Sequence, residues 1–123
     1  MNRDELTWKI ISAAIEVHHN LGPGLLKSVY EECLCYELKQ GSIAFERKKR
    51  LPIAYKGIQI DCGYHMDIVA LDEIIVEVKA CEVLQQIHAA RLLTYLKLAG
   101  IKTGLLINFD VVVLKDGIRI VNI

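Results

Sequence analysis

The stretch that decides the fold is His65-Met66-Asp67-Ile68-Val69-Ala70-Leu71-Asp72-Glu73-Ile74-Ile75-Val76-Glu77-Val78-Lys79. It holds two short apolar runs, rich in Ile and Val, joined across Leu71-Asp72-Glu73, and each run reads as a β-strand. The second strand carries Glu77 and Lys79, two residues apart and therefore on one face. Burying such charges among apolar side chains is costly unless they are paired or bind something. The preceding strand brings Asp67 within reach of both. Two carboxylates converging beside a lysine make a candidate divalent-cation site with an adjacent cationic group.

Whether the two acids meet depends on register, because a slip of one residue moves every side chain to the opposite face. A two-residue loop at Asp72-Glu73 pairs Leu71 with Ile74 and separates the acids. A three-residue loop pairs Ala70 with Ile74 and sets Asp67 opposite Glu77. Tight two-residue loops need positive φ, and neither Gly nor Asn stands at positions 72–73. The longer loop is therefore expected. Met66, Ile68 and Ala70 then share the other face with Ile74, Val76 and Val78, an apolar surface for a helix. Two further acid-x-Lys triplets, Glu37-x-Lys39 and Glu46-x-Lys48, lie at a polar helix end and in a charged run, where solvation accounts for them.

Upstream, Leu6, Ile10, Ala14, Val17 and Leu21 recur at helical spacing until Gly22-Pro23-Gly24 stops them. A second helix is expected over residues 25–40, ended by Gly41. The period then changes to two through Ile43, Phe45, Leu51, Ile53 and Tyr55, with a turn at Lys56-Gly57. Residues 58–70 and 74–79 complete a three-stranded meander. Downstream, the helical period returns over residues 82–99 and closes at Gly100. Strands follow at 104–108, 111–114 and 118–121, the last after an Asp116-Gly117 turn. A single α/β domain spanning residues 1–123, with one mixed sheet flanked by helices, is the packing solution.

Composition agrees. The 123 residues are 53% hydrophobic and 24% charged, enough for one real core and too ordered a mixture for a linker. No apolar stretch suffices to span a bilayer, and the charged start, Met1 to Glu5, does not read as a signal peptide, so a cytoplasmic protein is expected. Fifteen basic residues balance fifteen acidic ones. Nucleic-acid contact would thus need a local patch or a bound metal ion. Cys33, Cys35, Cys62 and Cys81 form no C-x-x-C pair and read as reduced thiols, mostly buried. His18 and His19 close the first helix, where imidazole suits the C-terminal dipole. Glu46 to Arg50 is the one basic cluster, and it reads either as a solvated strand edge or, through Lys48, as a phosphate-tracking stripe. Tyr30, Tyr36 and Tyr95 read as core or cleft walls.

Asp67 with Glu77-x-Lys79, set among flanking helices, resembles the PD-(D/E)XK nuclease superfamily, whose fold is restriction-endonuclease-like. More closely, the chain is similar to the small GxxExxY proteins of that superfamily. Three segments carry the likeness: residues 21–34, residues 55–79, and residues 88–108 with their Leu92-Leu93-Thr94-Tyr95-Leu96-Lys97 centre. The resemblance implies metal-dependent phosphodiester hydrolysis of DNA or RNA. It implies that Asp67, Glu77 and the Val78 carbonyl hold Mg²⁺ or Mn²⁺, hard cations that take oxygen ligands and retain waters. Lys79 would orient the attacking water or neutralise the phosphate. Met66 stands at the superfamily's nominal proline.

Two departures bear on activity. The motif reads Gly24-Leu25-Leu26-Lys27-Ser28-Val29-Tyr30, with Lys27 where the family has glutamate. Glu31, one helical turn on, is a substitute at longer range. Arg91 replaces a glutamine four residues before Tyr95, and His88, Arg91 and Tyr95 share one stripe. The added cations would either hold phosphate more firmly or occupy the metal's place as salt bridges. The competing functions are a catalytically silent binding module and a globular subunit with paired buried charges. A homodimer is plausible, because one small domain has little surface to grip a duplex.

Overall fold

A computed structural model describes all residues, 1–123. The elements run α1 (Arg3–Leu21), α2 (Lys27–Gln40), β1 (Phe45–Arg50), β2 (Ile53–Tyr55), β3 (Ile58–Ile60), β4 (His65–Ala70), β5 (Ile74–Lys79), α3 (Gln86–Ala99), β6 (Thr103–Asn108), a 3-10 turn (Leu114–Gly117) and β7 (Ile118–Asn122). Five strands form one sheet in the order β1-β4-β5-β6-β7, and β2-β3 form a separate two-stranded ribbon. Only β5 and β6 are parallel, and α3 supplies the crossover that a parallel pair requires.

The central strands are buried on both faces, which is why β5 and β6 read as continuous apolar runs. Ile68, Ala70, Ile74, Val76, Val78, Leu105 and Ile107 pack against α1 and α2, whose inward stripe includes Leu6, Ile10, Ala14, Tyr30, Leu34 and Leu38. Val69, Ile75 and Leu106 point the other way, onto Leu92 and Leu96 of α3. The result is three layers with the sheet in the middle.

Ala70 pairs with Ile74, so the three-residue loop and its register are as expected. The loop nevertheless adopts positive φ without glycine. Leu71 and Asp72 both take positive φ, 51° and 54°. The Leu71 N–H donates to Ala44 O, the Glu73 N–H to Ala70 O, and Asp72 pairs with Lys49, interactions that hold the loop against its local strain.

Four expectations need correction. The long strand over 58–70 is broken at residues 61–64, so the ribbon β2-β3 stands apart and β1 pairs directly with β4. Residues 111–114 form no strand; the chain bends there and enters the 3-10 turn. Gly117 is needed for space rather than for a hairpin turn, because a Cβ there would overlap the Asn108 carbonyl oxygen. Met66 packs with the α3 cluster and not with Ile68 and Ala70, because β4 is distorted at Asp67.

Helix starts also shift. α1 begins at Arg3 with Asn2 as N-cap, accepting from the Glu5 N–H at 2.9 Å. α3 begins only at Gln86, where Gln85 and His88 form a capping box. The four cysteines are free; Cys35 is buried, Cys33 and Cys81 are half-buried, and Cys62 is exposed. Burial pushes the Cys35 thiol up to about 11, against the opposing pull of Arg47, which leaves it inert. His18 does more than complement a dipole: it is buried, and its Nε2–H donates to Val111 O at 2.7 Å. No helix is long and apolar enough to cross a membrane.

Candidate metal centre

The site sits where the β4–β5 ladder ends. Pairing is regular from Ala70↔Ile74 to Ile68↔Val76 and then stops. Beyond that point each acid accepts a peptide N–H from the opposite strand: Asp67 N–H donates to Glu77 Oε2 at 2.9 Å, and Val78 N–H donates to Asp67 Oδ2 at 2.9 Å. The two carboxylates thus replace the missing ladder acceptors and fix one another. On the other side of β4, the Lys48 position opposite Asp67 is skipped in the pairing, and Lys48 itself has φ of 54°. A distortion of this kind re-aims a side chain at a strand end.

Glu77 is 8% exposed. Burial, and then the neighbouring Asp67 carboxylate, push its pKa up to about 8, while the Asp67 N–H bond and Lys27 pull the other way. Burial and the Asp67 charge thus favour the protonated form of Glu77. Lys27, at the start of α2 in the opposite helix layer, places Nζ 3.0 Å from Asp67 Oδ1. Its reach is set by the preceding loop. The Tyr30 hydroxyl donates to Gly22 O at 2.7 Å and accepts from the Leu25 N–H at 3.0 Å. Its ring stacks on Phe109 with centroids 4.6 Å apart. The Gly24-to-Tyr30 motif thus anchors the beginning of α2.

Lys79 is half-buried and pairs with no carboxylate. Its carbonyl accepts from the Phe109 N–H, and the buried Asn108 side chain bonds both the N–H and the carbonyl of Cys81 just beyond it. Partial burial and then the cations Lys79, Arg91 and Arg119 hold His88 below its usual pKa. Its Nδ1 accepts from the Gln85 N–H, so the neutral ring carries its proton on Nε2. Burial and then Glu77 hold the Tyr95 hydroxyl above its usual range. Lys79 and Arg91 are therefore near enough to His88 to act on its charge, and Tyr95, on the same helix, is near enough to Glu77 to feel it. Arg119 of β7 joins them, a residue the strand pattern alone does not single out. It becomes visible only through its pairing with Leu106, whose side chain faces α3.

Glu31 is not brought into this group. It is buried and bonded to Arg47 at 3.0 Å, and Arg47 also pairs with Glu32. Lys49 pairs with Glu46 and Asp72, and Arg50 with Asp61. The basic cluster on β1 is thereby neutralised, and Lys48, exposed and unpaired, is its single free cation.

The donor chemistry suits a hard divalent ion. Both carboxylates offer oxygen, and the Val78 carbonyl points to the same strand edge as the N–H that meets Asp67. The raised pKa of buried Glu77 beside the Asp67 carboxylate marks surplus negative charge where a cation could lodge. No third His, Cys, Asp or Glu joins the pair, so most of the coordination would come from water and substrate, which Mg²⁺ tolerates.

A mixed sheet between helices, with paired acids and a lysine at the open end of its central strands, is a restriction-endonuclease-like fold. The family model described as the PD-(D/E)XK nuclease superfamily matches residues 4–121, and the chain belongs to that superfamily. No curated protein and no solved structure matches it.

Proposed function

We propose that the protein is a metal-dependent nuclease that hydrolyses phosphodiester bonds in DNA or RNA. The observation that carries this reading is the reciprocal arrangement of Asp67 and Glu77 at the end of the β4–β5 ladder, with unpaired Lys79 two residues on. Buried carboxylates that served only stability would be paired off, as Glu31 is with Arg47. Glu77 has no such partner.

Asp67, Glu77 and the Val78 carbonyl would hold Mg²⁺ or Mn²⁺. When bound, that ion supplies a water of lowered pKa and neutralises charge on the phosphate. The chain's residues do the rest. Glu77 would offer the ion its carboxylate, held in place by the Asp67 N–H. Lys79 holds the attacking water against the phosphorus or neutralises the non-bridging oxygens. Arg91 and Arg119 add positive charge on the same side, and the neutral His88 ring offers its Nε2–H, to hold the substrate's phosphates. Lys27, paired with Asp67 Oδ1 at 3.0 Å, would compete with the ion for that oxygen.

The narrower likeness to GxxExxY proteins and a homodimeric assembly are parts of this proposal. Calorimetric titration with Mn²⁺ tests the ligand set: Asp67→Ala abolishes the wild-type heat, and an unchanged titration refutes it. Degradation of plasmid and single-stranded substrates, wild type against Lys79→Ala, tests catalysis. Retained hydrolysis in that variant would remove Lys79 from the mechanism. A protein that titrates with Mn²⁺ but hydrolyses neither substrate is instead a binding module on a nuclease fold.

A further inference from the structure

The superfamily fold explains the carboxylate pair but not the groove beside it. α3 has two apolar stripes. Leu92 and Leu96 enter the sheet core, while Ile87, Ala90, Leu98 and the half-buried Tyr95 face the ribbon β2-β3. Ile53 and Ile60 form the opposite wall, with Cys62 and Tyr64 at its end. Between them lies an open groove of about 540 Å³, a size that houses a nucleoside. The ribbon that builds it belongs to neither face of the main sheet, and Tyr55, Ile58 and Ile60 are exposed along it.

Three features identify the occupant. Tyr64 and Tyr95 cross edge-on with ring centroids 6.5 Å apart, offering flat apolar surface. The groove's one charged residue is Arg91, which pairs with no acid. One end lies toward the carboxylates, because Tyr95 borders the groove and packs against the cluster of Met66, Ile75 and Leu106, on the sheet face from which Glu77 projects two residues after Ile75. An apolar slot lined by tyrosines, with a cation at its lip and phosphate-binding cations beyond, complements one nucleotide: base inside, phosphate outside. Of the β1 cations, by contrast, Arg47, Lys49 and Arg50 are consumed by Glu31, Glu32, Glu46, Asp61 and Asp72, and only Lys48 stays free. That leaves no basic belt long enough to track a duplex.

We infer that this groove seats an unstacked base next to the scissile phosphate, so the substrate is single-stranded or locally unpaired nucleic acid. The inference rests on the nuclease reading. Within a duplex the base faces are covered by their neighbours, and only an unpaired base can enter. Stacking on aromatic side chains is tolerant of sequence, so little base preference is expected.

The test separates binding from hydrolysis. Fluorescence anisotropy is measured in EDTA with a short labelled oligothymidylate and with a duplex of equal length, using wild type, Tyr64→Ala and Thr94→Trp. Tyr64 and Thr94 are both exposed, so neither substitution touches the core, and the tryptophan fills the groove from α3. Wild type binds the single strand more tightly than the duplex. Each variant weakens single-strand binding roughly tenfold, the size of one lost base stack, and leaves duplex binding unchanged. Unchanged single-strand affinity in both variants, or a wild-type preference for duplex, overturns the inference. So does a wild-type dimer that either variant dissociates without loss of oligonucleotide binding, since the groove would then seat a second copy. Groove-dependent binding without hydrolysis in Mn²⁺ would sink the nuclease reading alone. Hydrolysis indifferent to the groove would sink this one alone.

Discussion

Replacing Lys27 offers the sharpest view of how the site handles charge. Its ammonium lies 3.0 Å from Asp67 Oδ1, with the lysine side chain 44% exposed and the aspartate 16%. An ion pair so open to solvent contributes about 1 kcal/mol or less. A divalent ion that takes Asp67 as ligand must displace the ammonium and forfeit that sum, and also bear its residual repulsion. Removing the positive charge by Lys27→Met should therefore tighten Mn²⁺ binding about fivefold, from about 1 kcal/mol regained. Lys27→Glu, which adds an anion at the same place, should tighten it further, roughly tenfold or more. Isothermal titration with Mn²⁺ at low ionic strength reads both, and added salt should shrink the difference. The fold should survive, because Lys27 is exposed and lies at the first turn of α2. If both variants bind Mn²⁺ no better than wild type, with unchanged melting temperatures, the ion does not use Asp67 and the assignment fails.

Other outcomes follow from the same coordinates. Glu77 has a folded pKa of about 8 against an ordinary 4.5, so its favourable contribution is full below the unfolded value and drains away as pH rises through about 8. Metal-free protein should melt lower at pH 8.5 than at pH 6, and saturating Mn²⁺ should flatten that slope; a metal-free profile flat over this range would contradict the raised value. Glu77→Gln should raise the melting temperature of metal-free protein at pH 8.5, change it little at pH 5, and eliminate the Mn²⁺ heat. Gly117→Ala should destabilise by about 3 kcal/mol in urea unfolding, because the added methyl meets the Asn108 carbonyl rather than a flexible side chain. Tyr30→Phe should cost about 1–3 kcal/mol by stranding Gly22 O and the Leu25 N–H, and Lys27→Met should then change Mn²⁺ affinity less than it does in wild type.

Much of the site was legible because its carboxylates break a rule. Glu77 interrupts an apolar strand, and the parity of a three-residue loop fixes which face Asp67 takes. That inference reached the right register although positive φ is tolerated at Leu71 and Asp72, where tertiary bonds hold the loop. Lys27 was visible as a departure from a motif, but its reach to Asp67 was not. Other features stayed hidden. The strand expected over 58–70 is two strands in different sheets, since alternation continues through residues 61–64 without showing that pairing stops there. Val111 and Leu114 pack on the core from a bend and a 3-10 turn, so their apolar character mimicked a strand. Met66 changes layer because the distortion at Asp67 resets the alternation.

The amino-acid order by itself determined most of the succession of helices and strands, the pairing of Ala70 with Ile74, and the approach of Asp67 to Glu77. These are local or near-neighbour properties, governed by periods of 3.6 and 2 and by loop parity. Only the tertiary structure decided which cations remain free. Arg47, Lys49 and Arg50 are consumed by acids from α2, the Leu71–Glu73 loop, the 61–64 segment and β1 itself, whereas Lys79, Arg91 and Arg119 stay unpaired near His88. Charge pairing depends on distances across the fold that no spacing along the chain encodes. The same holds for the groove, whose two walls are separated in sequence by the strands of the sheet and meet only when α3 crosses over them.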